Sequence, residues 1–123
     1  MNSVKILIID DDEDLIVSTK ILLNGNGIEV IGAINGEEGI KKALEEKPDY
    51  IFIDIDMPGM DGWETLKKIK SHEELKNIPV AMLTATSLSD SIDREEIEGI
   101  NDYITKPFTR EDIIECLRQV YDF

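Results

Sequence analysis

A single cysteine, Cys116, leaves this chain with no partner for an internal disulfide, which fits a reducing, cytoplasmic compartment. Histidine is as scarce: His72 stands alone in a polar stretch, with no second histidine or cysteine nearby to share a metal. Basic residues are few, 13 against 27 acidic, for a net charge of −14. With no basic excess to release counterions, binding to nucleic acid through phosphates is not expected. No apolar run approaches the roughly 20 residues needed to span a bilayer. The apolar run Val4–Ile9 is too short for a signal peptide and leads straight into acids. Repeats, low-complexity segments and linkers are missing too, and 123 residues suffice for one domain, 1–123, with a real core.

What is present is a series of short apolar runs, each followed by turn chemistry or acids. The central run, 50–53, is β-branched or aromatic at every position, reads as a strand buried on both faces, and ends on Asp54. After it come Met57-Pro58-Gly59 and Asp61-Gly62, which are turn residues. The run Val4–Ile9 ends in Asp10-Asp11-Asp12. Further strands are expected at 28–34, at 78–83 ending on Thr84, and at 101–105 ending at Lys106-Pro107.

Helices are expected between them. Residues 15–23 follow acids that favour a helix N-terminus, with Leu15, Leu22 and Leu23 on one face and Ile16 off it, partly buried. Ile40, Ala43 and Leu44 form the stripe of a second helix ending near Lys47-Pro48, and Trp63, Leu66 and Ile69 that of a third. A weaker, acidic helix is expected at 87–98. The last begins near Asp112, with apolar residues at 113, 114, 117, 120 and 121, and Cys116 as a small packing residue. Strands alternating with helices imply an α/β fold, a parallel sheet covered on both faces.

Parallel strands bring their C-terminal ends to one edge, where ligands of open α/β sheets bind. That edge collects Asp10, Asp11, Asp54, Thr84 and Lys106. Carboxylates so close repel unless something positive intervenes. An all-oxygen set suits a hard divalent cation such as Mg²⁺. A phosphoryl group is the expected visitor. Asp54 would be the nucleophile, Lys106 a point charge on a phosphoryl oxygen, and Thr84 a rotatable hydroxyl donor.

With these pieces assembled, the chain closely resembles the receiver domain of two-component response regulators. The matching segments are ILIIDDD at 6–12, IDIDMPGMDG at 53–62, LTA at 83–85 and YITKPF at 103–108. The resemblance implies a flavodoxin-like (βα)5 three-layer sandwich with a parallel five-stranded sheet of order 2-1-3-4-5. It implies that Asp54 accepts a phosphoryl group from a phosphohistidine on a histidine kinase or phosphotransfer protein. Asp10 and Asp11 would hold the metal, with Asp56 adding its backbone carbonyl. Thr84 and Tyr103 would be switch residues acting on a downstream protein or output domain, and the Lys106–Pro107 bond would be cis. Such a domain is not a turnover enzyme; it assists its own phosphorylation and autodephosphorylation.

The chain departs from the pattern at few places. Gly39 stands where alanine is common, which should weaken that helix slightly. Ser18 and Thr19 occupy positions of the first helix that are often leucine. A rival reading also fits Asp54-Ile55-Asp56: the nucleophile and acid/base pair of a haloacid-dehalogenase-type phosphohydrolase. Against it, the acidic pair comes before Asp54 in the chain, and there is no room for a substrate cap.

Overall fold

Five apolar runs become the five strands of one sheet in the computed structural model, which describes residues 3–23, 27–85 and 100–121. In chain order the elements are β1 (Val4–Ile9), α1 (Glu13–Leu23), β2 (Ile28–Ala33), α2 (Gly36–Glu46), β3 (Tyr50–Asp54), α3 (Gly62–Ser71), β4 (Val80–Thr84), β5 (Asp102–Thr105) and α4 (Arg110–Arg118). All strand pairs are parallel, in the order β2-β1-β3-β4-β5. This is the expected order. The helix expected at 87–98 lies outside the described residues.

The largely apolar character of the inner strands has a direct cause, since both of their faces are covered. On one face Ile6 and Ile8 of β1, Tyr50 and Phe52 of β3, and Ala81 and Leu83 of β4 pack beneath α1 and α4. On the other, Leu7 and Ile9, Ile51 and Ile53, and Val80 and Met82 pack beneath α2 and α3. Each fully buried large side chain contributes about 1.5–3 kcal/mol relative to exposure, so the two layers fix the sheet beneath its C-terminal edge.

Local signals set the helix ends. Asn35 caps α2 by accepting from the Glu38 amide at 2.8 Å, and Asp61 caps α3 through Glu64 at 2.9 Å. Thr109 and Asp112 form a reciprocal capping box on α4. Lys47 ends α2 in the left-handed region, at φ 49°, just before Pro48.

The buried face of α1 differs from the expected one. Ile16, Thr19 and Leu23 face the core, while Leu22 is exposed. Thr19 disguised the stripe, for its hydroxyl bonds the Leu15 carbonyl at 2.7 Å and so it packs as a small apolar residue. Ile16 fills the space above Gly32 of β2. In α4, Cys116 is buried with its neighbours and donates to Asp102 at 3.4 Å. Burial above all, and then Asp102, push its thiol up to about 12, so it is a packing residue rather than a thiolate.

Candidate functional site

The parallel topology delivers the acidic and basic side chains to one edge. Asp10 follows the last residue of β1, Asp54 ends β3, Thr84 ends β4, and Lys106 follows the last residue of β5. Strand register fixes their neighbourhood. The Ile55 amide donates to the Leu83 carbonyl at 2.9 Å and the Lys106 amide to the Thr84 carbonyl at 2.7 Å. Three of the strand-end side chains are buried: Asp10, Asp54 and Thr84.

Lys106 is the hub of the charge arrangement. Its ammonium lies 2.7 Å from Asp10 Oδ2 and 3.3 Å from Asp54 Oδ1. Burial works against that ammonium, but Asp10 and then Asp54 outweigh it and hold the Lys106 pKa above its ordinary value. Asp10 also accepts from the Asp12 amide at 2.9 Å, and Asp54 from the Asp56 amide at 3.3 Å. Asp54 is pushed up to about 6, mainly by burial and next by Asp10, while Lys106 and the Asp56 amide pull it back. It is therefore mostly ionised at neutral pH, yet poorly compensated.

Asp10, Asp11 and Asp54 each place a carboxylate oxygen within 4.8 Å of the others. Asp11 is the exposed member, Asp10 and Asp54 the buried ones. A hard divalent cation fits this donor set, because it is all oxygen, anionic and open on one side. Asp56 is exposed, and its side chain lies outside that group. Tyr103 lies elsewhere again. It sits within β5 in register with Met82, and its ring meets Trp63 edge-on at 6.5 Å.

Sequence reasoning placed Lys106 on a future phosphoryl oxygen and did not foresee how closely it already engages Asp10. It also missed Gly62, whose amide bonds the Ile55 carbonyl at 3.0 Å and seats α3 against the end of β3. The signal for Gly62 was present: a glycine directly after a capping aspartate, where a helix must start close to another backbone. The Lys106–Pro107 bond is cis, as the resemblance implied.

A family profile described as the response regulator receiver domain matches residues 6–118. PilG of Pseudomonas aeruginosa is 32% identical over 117 residues, covering 95% of this chain and 87% of that protein. The chain spans about half the length of several other curated relatives it matches. Among solved structures, the chemotaxis protein CheY4 of Vibrio cholerae superposes with a TM-score of 0.87 at 29% identity, covering 97% of this chain and 99% of that one. A receiver domain of a sensor histidine kinase from Pseudomonas aeruginosa, with a magnesium ion coordinated in its active-site cleft, superposes with a TM-score of 0.82 at 27% identity, covering 95% and 96%. The phosphohydrolase reading finds no support in these matches. Among the described residues no helix is long and apolar enough to cross a membrane.

Proposed function

The chain belongs to the response regulator receiver family, and from that premise we propose that Asp54 takes a phosphoryl group from a phosphohistidine on a sensor kinase or phosphotransfer protein. The observation that carries this reading is the meeting of Asp54, Asp10 and Lys106 at one sheet edge, with Lys106 Nζ 3.3 Å from the acceptor carboxylate. An Asp54 oxygen attacks phosphorus, the bond to the donor imidazole nitrogen breaks, and that nitrogen leaves with the electron pair. The product is an acyl phosphate on Asp54. Lys106 turns its charge to a phosphoryl oxygen and Thr84 donates its hydroxyl to another. Asp10, Asp11, Asp54 and the Asp56 carbonyl are the residues that would hold Mg²⁺. Bound there, the cation offsets the charge of the attacking carboxylate and the phosphoryl oxygens.

Thr84 and Tyr103 then pass the change to a surface read by a downstream protein or output domain. The receiver unit is the span 1–123, working in the cytoplasm. A net charge of −14 supports protein partners over direct contact with nucleic acid or an anionic membrane. The test is incubation with acetyl phosphate and Mg²⁺, followed by mass spectrometry. One phosphoryl group per chain, on the peptide containing Asp54, is expected. Continuous release of phosphate without that adduct would refute the reading.

The acyl phosphate should last minutes or longer. Asp56 is exposed two residues beyond the acceptor, and its carboxylate adds negative charge beside an already anionic phosphoryl group, which disfavours the charge that builds as water attacks in line. Asp56→Asn should therefore decay severalfold faster than wild type in excess Mg²⁺. Decay of the wild type within seconds, or slower decay in the variant, would reverse the sign of that argument. Thr86, which is too short to hold an attacking water, lies outside the described residues.

A further inference from the structure

Trp63 and Tyr103 are far apart in the chain, yet their rings lie 6.5 Å apart at an interplanar angle of 67°. That is the edge-to-face geometry aromatic pairs prefer. Both rings are half-buried and rest on the cluster that contains Val80 and Met82. Met82 is the register partner of Tyr103 on β4. The Tyr103 hydroxyl oxygen is itself buried, so the ring points inward.

Trp63 is also tied to the phosphoacceptor. It follows Gly62, whose amide bonds the carbonyl of Ile55, the residue after Asp54. Tyr103 is tied to the other side of the site, three residues before Lys106 on the same strand and turn. The ring contact thus joins the start of α3, seated beside the acceptor at the end of β3, to the strand that leads into Lys106.

We propose that Trp63 is a positioning residue for Tyr103, its edge-to-face contact with the Tyr103 ring holding that ring inward and coupling its pose to the state of Asp54. The inference rests on the reading of Tyr103 as a switch residue. Aromatic pairs of this geometry shift a two-state balance about two- to tenfold. Coupling is reciprocal, so removing the indole should weaken any ligand of Asp54 that favours the inward ring by the same factor.

Trp63 is the chain's single tryptophan, so its fluorescence is unambiguous. The probe is beryllofluoride with Mg²⁺, titrated into wild type, Trp63→Phe, Trp63→Leu and Tyr103→Ala. Tyrosine ring resonances are followed alongside. Wild-type emission should change on titration, and Tyr103→Ala should lose most of that change. In Trp63→Leu the Tyr103 ring signals of the free protein should move, and the half-saturating beryllofluoride concentration should rise about two- to tenfold. Trp63→Phe, which keeps a ring edge, should stay within about twofold of wild type. If Tyr103 responds in wild type, but its free-state signals and the half-saturation are unchanged in Trp63→Leu, the role of Trp63 is overturned and the switch reading survives. If amides beside Asp54 respond in wild type while Tyr103 does not, the switch reading falls and this inference with it. Where Trp63→Leu does not fold, a wild-type emission that stays constant on titration while Tyr103 responds overturns the coupling of the indole to the Tyr103 ring.

Discussion

Asp54→Asn should raise the stability of the metal-free protein at neutral pH by about 2 kcal/mol while abolishing its uptake of phosphate. The loss of labelling follows from chemistry, because an amide is no acceptor for a phosphoryl group. The gain in stability follows from the cost of the native charge. Asp54 is buried, faces Asp10, and is pushed from 3.8 to about 6. Each tenfold change in proton affinity is worth about 1.4 kcal/mol, so the ceiling is about 3 kcal/mol.

The direction with pH follows from proton counting. Between about pH 4 and pH 6 the native chain holds a proton that the unfolded chain has released. Wild-type stability therefore falls as pH rises through that window, from this group's contribution. Asparagine carries no such penalty. The advantage of the variant should be absent below the unfolded aspartate's pKa, grow between pH 4 and 6, and level off above. Lys106 keeps its closer partner, Asp10, at 2.7 Å in either protein. Urea unfolding in EDTA from pH 4 to 8 measures this. An advantage that shrinks with rising pH, or a variant less stable than wild type at pH 7.5, would show that Lys106 compensates Asp54 fully. Added Mg²⁺ should narrow the gap, because it binds the wild-type native state more tightly and stabilises it by mass action.

The parts of the fold that could be read from the sequence were those where burial and chemistry coincide. Strands such as Val4–Ile9 and Tyr50–Asp54 are apolar but for Lys5 and the terminal Asp54 because both faces are covered, and the chain changes abruptly to charged residues at their C-terminal ends. Parallel pairing then carries Asp10, Asp54, Thr84 and Lys106 to one edge with no further information. Features that depend on contacts between distant segments were not legible. A threonine on the buried face of α1 broke the apolar stripe, because its local hydrogen bond to Leu15 is invisible in a hydropathy pattern. Gly39 read as a small weakness in α2, yet a Cβ there would lie 2.7 Å from Ile9 Cγ1. The glycine lowers helix propensity and in return lets α2 close over β1 just before Asp10. Trp63 read as one member of the apolar stripe on α3, and nothing local in the sequence pairs it with Tyr103.

Gly62→Ala should damage both stability and labelling. A Cβ at this position would lie 2.7 Å from the Ile55 Cα and closer still to the Asp54 carbonyl oxygen. These are backbone atoms at the end of β3, so no side chain can rotate to make room. Either α3 lifts from the sheet or the Asp54 turn shifts. Overpacking of this kind costs about 1–3 kcal/mol. A displacement of the acceptor by about 1 Å slows a reaction that depends on positioning by up to about 100-fold. The comparison that separates the two effects is Gly59→Ala. Gly59 has φ +75° and nothing within 4 Å of its absent Cβ, so alanine there meets backbone strain without a clash. It should lose about 1 kcal/mol and keep a labelling rate within a few-fold of wild type. Urea unfolding of both variants, with rates of labelling by acetyl phosphate under native conditions, provides the measurement. If Gly62→Ala labels as fast as Gly59→Ala, the close seating of α3 on β3 does not position Asp54.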